Sequence, residues 1–187
     1  DVPGPFQYRG RPPRRAPALV RRRPQSAPQV LVSVGGRVLV GTMGRSGIAT
    51  LKREGDGGTP RCRITPELYF FRAKPRVSLP SRRINGSDGW CDDPGSARYN
   101  AHIKVPAGAG HERVLRSDEL YDHLIVTDHN ARPRIRRGGS AIFIHVARPA
   151  MTPTEGCIAF PLAAWQRGTV PVGPYLVGVD PRAKAKR

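Results

Sequence analysis

Val30-Leu-Val-Ser-Val34-Gly35-Gly36-Arg37-Val-Leu-Val-Gly41 is the stretch whose reading decides the fold class. Two β-branched runs flank a Gly-Gly pair, and such a pair supplies the backbone freedom that a two-residue hairpin turn requires. The same pattern recurs outward from it. Leu19-Val20 precedes it as a first strand and runs into Arg21-Arg22-Arg23 and Pro24. Residues 68–72 form a short aromatic strand, and residues 124–126 and 141–146 form apolar, β-branched ones. Residues 41–47 and 55–60 read as loops. Residues 84–94 read as irregular, because Gly86, Gly89 and Pro94 break any period. Helical period is scarce. Residues 162–167 form one short helix, with Pro161 at its first turn and Gly168 beyond its end. The expected fold is mostly β, a sandwich or barrel with one or two short helices.

The chain has 187 residues, the size of one domain with basic ends. The expected division is a Pro/Arg-rich flexible arm over residues 1–16, a single domain over 17–178 and a basic tail over 179–187. Hydrophobic residues make up 38%, which excludes wholesale disorder. No apolar run approaches the ~20 residues of a membrane-spanning helix, so no membrane span is expected. Lysine and arginine total 32 against 14 acidic residues, a formal net charge of +18. That excess suits an anionic partner, but biased base composition produces it equally well. Cys62, Cys91 and Cys157 are too few for a disulfide scaffold and too far apart for a CxxC motif. Cys62 and Cys91 are expected as free thiols, with a disulfide as the alternative in an oxidising compartment. The five histidines match no zinc spacing, and no metal is expected. His123 is expected at a surface or strand edge, and His102 and His111 as solvated or locally hydrogen-bonded.

Chemistry concentrates in residues 139–160, Gly-Ser-Ala-Ile-Phe-Ile-His145-Val-Ala-Arg148-Pro-Ala-Met-Thr-Pro-Thr154-Glu155-Gly156-Cys157-Ile-Ala-Phe. A histidine ends an apolar strand, and a cysteine follows a glycine twelve residues later. A thiol needs a base to become a nucleophilic thiolate at neutral pH, and imidazole suits that task. Gly156 permits a sharp turn, and amides beside the cysteine can face a developing oxyanion. A lone Cys-His pair is nevertheless more often structural than catalytic.

The surrounding motifs resemble the YkuD-type L,D-transpeptidase catalytic domain, in the branch that reads Gly-Ser-Ala-Ile-Phe-x-His-x-Ala-Arg-Pro and then Pro-Thr-x-Gly-Cys. These correspond to residues 139–149 and 153–157. Upstream, Lys52-Arg-Glu-Gly-Asp-Gly-Gly-Thr-Pro60, Asp88-Gly-Trp-Cys-Asp-Asp-Pro94, Tyr99-Asn100, His111-Glu112 and Leu120-Tyr121-Asp122 fit in order. The resemblance covers roughly residues 18–172. It implies a mostly β enzyme outside the cytoplasm, in periplasm or cell wall, acting on peptidoglycan stem peptides. No signal segment is visible, so export is expected from the resemblance alone. Cys157 would be the nucleophile and His145 the base, with acylation by a carbapenem as a further implication. Water as acceptor would make the same site an L,D-carboxypeptidase or amidase. Gly156, Thr154 and Glu155 would line the oxyanion turn. Arg148 would hold a stem carboxylate or form a surface salt bridge. Trp90 and Tyr99 would wall the cleft or pack in the core. No metal or cofactor is implied. Two positions depart from the pattern: Cys62 stands where the early loop usually has glycine, and Ala159 where many members have arginine.

A reading of another class, a basic nucleic-acid-binding module, rests only on charge and the terminal arginine clusters. No helix-turn-helix, zinc finger or RNA-binding aromatic pair accompanies them.

Overall fold

In the computed structural model, residues 15–24 and 28–179 are described. The expected arm and tail lie almost wholly outside them. Of the arm, Arg15 donates from Nη2 to the Ser78 carbonyl at 2.7 Å.

The hairpin forms where its residues dictate. Strand β1 (Ala18–Arg22) pairs antiparallel with β2 (Gln29–Val34), and β2 pairs with β3 (Arg37–Thr42) in a register that sets Val34 opposite Arg37. Gly35 and Gly36 close the turn at φ 53° and 74°. Chain order then adds β4 (Ile48–Ala49), β5 (Thr59–Pro60), β6 (Arg63–Ile64), β7 (Pro66–Phe71), β8 (Ser81–Arg83) and β9 (Asp88–Cys91). It continues with β10 (Ala101–Lys104), β11 (His111–Arg113), β12 (His123–Thr127), β13 (Phe143–Val146) and β14 (Ile158–Phe160). The helix α1 (Leu162–Gln166) and β15 (Tyr175–Val177) finish the described chain.

Ten strands form one sheet in the order β6-β15-β1-β2-β3-β14-β13-β12-β7-β8. β6 and β8 are its edges, so hydrogen bonding does not close it into a ring. A three-stranded sheet, β10-β9-β11, and a two-stranded one, β4-β5, complete the architecture. The protein is mostly β, with one short helix among the described residues. No helix among the described residues is long and apolar enough to cross a membrane.

Alternation along the central strands divides the apolar side chains between two cores. Ile125, Ile144 and Val146 join Val20, Val32, Ile158, Phe160 and Trp165 of α1 in the larger core. Leu124, Val126 and Phe143 point the other way and join Phe70, Trp90, Tyr121 and Cys157. Complete burial of a side chain such as Ile144 or Phe160 stabilises by roughly 1.5–3 kcal/mol.

Three expectations change. Residues 84–94 are not irregular throughout, because β9 is the central strand of the three-stranded sheet. Gly89 does not break it: a Cβ there would lie 2.4 Å from Val105 Cγ1, so this glycine admits close packing. Residues 59–60 leave the loop to pair, as β5, with β4. His123 is buried rather than at a surface, stacks on Trp165 and hydrogen-bonds through Nδ1 with the Tyr69 hydroxyl at 2.6 Å. Cys62, Cys91 and Cys157 are all free, and Cys62 and Cys91 pack in different clusters.

Candidate functional site

β13 and β14 are parallel neighbours, with His145 opposite Ala159 and Ile144 opposite Ile158. Cys157 immediately precedes β14 and so falls beside Phe143. Side chains alternate along strands, which puts Phe143, His145, Cys157 and Ala159 on one face. The cysteine and histidine are therefore diagonal neighbours, brought together by the crossover between the two strands. Both are nearly buried, at 8% and 6% exposure. Tyr121 bridges them: its ring meets the His145 ring edge-on at 5.3 Å, and it packs in the cluster that contains Cys157.

The His145 Nδ1 and the Cys157 thiol each have defined partners. His145 Nδ1 lies 2.8 Å from the Val146 carbonyl. A carbonyl only accepts, so Nδ1 carries the hydrogen and Nε2 is left with its lone pair. The Cys157 thiol donates to the Ala141 carbonyl at 3.1 Å and accepts from the Phe143 amide at 3.3 Å. The resting thiol makes no hydrogen bond to the imidazole. Burial pushes the thiol up to about 12, against the Phe143 N–H and the positive charge of Lys52. Burial pulls His145 down to about 4, opposed by the Val146 hydrogen bond and reinforced by Arg116 and Arg148. At neutral pH the pair is thus thiol and neutral imidazole, not an ion pair.

The turn before Cys157 is built by contacts from the chain's first third. Gly156 adopts φ 141°, and a Cβ on it would meet the Gly58 carbonyl oxygen at 2.9 Å and Ile142 Cδ1 at 3.0 Å. Only glycine fits there without displacement. Asp56 fixes the approaching loop by accepting from the Arg53 and Gly58 amides at 2.7 and 2.8 Å and pairing with Lys52, whose side chain is 7% exposed. The Thr154 hydroxyl donates to the Cys157 carbonyl at 2.7 Å and accepts from the Gly156 amide at 3.2 Å. It closes the turn as an internal hydrogen bond between side chain and backbone. The Cys157 amide itself has no acceptor among the described residues.

The other candidates are placed less uniformly. Glu155 turns outward, and both of its carboxylate oxygens accept from Arg45 Nε at 3.0 Å. Arg148 is exposed and makes no ion pair among the described residues, so the surface salt bridge is not the arrangement found. Trp90 and Tyr99 are packed rather than open to a cleft. Trp90 meets the Phe143 ring edge-on at 5.1 Å and donates from Nε1 to Asn100 Oδ1 at 3.0 Å. Tyr99 is 1% exposed and donates its hydroxyl to the Glu54 carboxylate. A shallow surface depression between residues 75–78 and 166–168 contains none of these groups.

Four residues without an assigned role enter the site's surroundings. Tyr121 donates to Glu112 Oε2 at 2.7 Å, and burial holds that carboxyl above its usual range. Lys52 and Asn100 hold the loops on either side of the thiol. The segments Lys52 to Pro60, Tyr99-Asn100, His111-Glu112 and Leu120-Tyr121 signalled all four, since they supplied the ordered motifs. Sequence separation concealed what each one touches.

Comparison with protein-family models, with curated proteins and with solved structures finds no match to this chain.

Proposed function

We propose that the protein is an L,D-transpeptidase that acts outside the cytoplasm on peptidoglycan stem peptides, through a thioester on Cys157. The reading rests on the ordered motifs of residues 52–157. The observation that carries it is the placement of Cys157 and His145 on one sheet face, with Nδ1 engaged by Val146 and Nε2 left as a base.

The chemistry follows from those atoms. His145 Nε2 takes the thiol proton as Cys157 Sγ attacks the carbonyl carbon of the third stem residue. The oxyanion accepts from the Cys157 amide, which has no competing acceptor among the described residues. The C–N bond then breaks, and His145 returns the proton to the departing D-alanine amine. An amine on a second stem attacks the thioester carbonyl and gives a proton to His145. The Cys157 sulfur leaves and is reprotonated. With water in place of the amine, the same sequence is hydrolysis and the activity is L,D-carboxypeptidase. Arg148, exposed and without an ion pair among the described residues on the segment that leaves β13, is the cation that would receive a stem carboxylate. A net charge of +18 raises the encounter rate with a carboxylate-bearing polymer.

The test is incubation with purified stem tetrapeptide, with and without an amine acceptor, followed by mass spectrometry. Cross-linked dimer and free D-alanine are expected from the wild type and neither from Cys157→Ala. A carbapenem should add its mass to the wild type alone. D-alanine without dimer assigns hydrolysis instead, and an unreactive Cys157 in folded protein overturns the reading.

A further inference from the structure

We infer that Asn100 is a positioning residue for Cys157, acting through the backbone conformation of Ala141 to park the thiol, protonated, away from the imidazole.

The chain of contacts begins at sulfur. The thiol proton is directed at the Ala141 carbonyl, not at His145. Ala141 has φ 52°, a left-handed conformation that is unfavourable for an alanine, so its surroundings must hold it there. The Ala141 amide donates to Asn100 Oδ1 at 3.1 Å. Asn100 is 5% exposed, and every bonding position of its side chain is used. Oδ1 also accepts from Trp90 Nε1, and Nδ2 donates to the His129 and Asn130 carbonyls at 3.0 and 2.9 Å. Its own amide donates to the Cys91 carbonyl at 2.8 Å, which anchors it to β9.

A buried carboxamide with both donors and both lone pairs engaged has one orientation. It therefore fixes the Ser140–Ala141 peptide, and the left-handed conformation of Ala141 carries that anchor into the next peptide, whose carbonyl the thiol faces. A carbonyl oxygen stabilises the S–H form and repels the thiolate. The Phe143 amide does the reverse, at a longer distance. The balance favours the thiol, in accord with the upward displacement that burial also imposes. The thiolate is the form that electrophiles and oxidants attack. Parking the proton on Ala141 thus withholds the reactive sulfur from adventitious alkylation and oxidation. This holds whatever acyl donor the protein takes, so its test is separable from that of the proposed activity.

The experiment is alkylation of the folded protein by iodoacetamide across pH 6–10. Sulfur displaces iodide, and modification of Cys157 is read by peptide mass separately from Cys62 and Cys91. In Asn100→Ala the Ala141 amide loses its acceptor, and the left-handed Ala141 backbone that aims the carbonyl is no longer anchored. Loss of about one hydrogen bond's effect on the thiol should raise the Cys157 alkylation rate at pH 8 by about tenfold. The rising limb of the pH profile should move about one pH unit lower. Val32→Ala is the reference: it removes methyl groups from the other core, lowers stability and should leave the profile in place. An Asn100→Ala profile that coincides with the wild type, or that shifts only as much as Val32→Ala, overturns the inference. If Asn100→Ala does not fold, the S–H stretching band of wild-type Cys157 decides, taken as the Raman difference against Cys157→Ala. A single band lowered by hydrogen bonding supports the parked thiol, and a free-thiol band overturns it.

Discussion

The two faces of β13 are equally buried and do opposite work. Ile144 and Val146 are 0% and 7% exposed on one side, and Phe143 and His145 are 1% and 6% exposed on the other. Ile144 packs in a large apolar core in which, among the described residues, Trp165 Nε1 is the buried side-chain polar atom without a partner. At the same depth on the opposite face lie an imidazole, a thiol and a phenol, each with a hydrogen-bond partner. Desolvation therefore serves two ends. Against Ile144 it supplies cohesion. Around Cys157 and His145 it keeps both groups neutral, and so leaves an unprotonated imidazole as a base at neutral pH.

Paired substitutions on that strand test the division. His145→Asn should lower the rate of Cys157 acylation by about 10²–10⁴-fold, the usual worth of a general base, with the fold retained. Ile144→Ala should cost about 2–5 kcal/mol in denaturant unfolding and leave the rate per folded molecule unchanged. Carbapenem acylation followed by intact mass reads the first, and urea titration the second. If folded Ile144→Ala loses acylation as His145→Asn does, the faces are not independent and the division fails.

The two sides were unequally legible in the sequence. The β character, the Gly35-Gly36 hairpin, the β12 and β13 cores and the short helix after Pro161 are all written in local periodicity and turn residues. The strand at residues 88–91 was hidden because Gly89 looks like a breaker in one dimension and is a packing contact in three. His123 was hidden because its Tyr69 partner lies on a neighbouring strand, 54 residues away. At the site, the identities of Cys157 and His145 were readable from residue type and motif. What holds them was not. The Gly58 carbonyl under Gly156 and the Asn100 amide on Ala141 are long-range contacts. No spacing rule predicts that Trp90 serves Asn100 rather than a ligand.

Acid should act through one buried histidine on each face, His145 beside Cys157 and His123 against Trp165 of the larger core. Both are pulled to about 4 by burial, below the ordinary histidine value of 6.5. Between these values the unfolded chain binds protons that the folded chain does not. Stability is therefore full above about pH 6.5 and declines as pH falls toward 4. A displacement of that size corresponds to at most about 3 kcal/mol per histidine. Urea midpoints measured from pH 7 to 4.5 should fall, and His145→Asn should show a shallower decline than wild type, with the His123 contribution retained. Equal slopes would mean that His145 is not held neutral by burial. The carboxylates Asp56, Asp88 and Asp118 are held below the ordinary value of 3.8, so their losses begin below this window.

The smallest expected effect lies within the turn itself. Thr154, Glu155 and Gly156 are consecutive, yet only the outer two face inward. Thr154 and Gly156 are bound into the turn by the hydroxyl bridge and by contact with Gly58. Glu155 is 76% exposed and its partner Arg45 51% exposed, so solvent screens the pair. Glu155→Ala should leave both melting temperature and acylation rate unchanged within error. Thr154→Val should slow acylation, because the Gly156 amide and the Cys157 carbonyl lose the hydroxyl that sets the angle of the turn. A loss of acylation in Glu155→Ala equal to that in Thr154→Val would place the Glu155 carboxylate in substrate recognition. The boundary of the site would then lie one residue further out than its hydrogen bonds draw it.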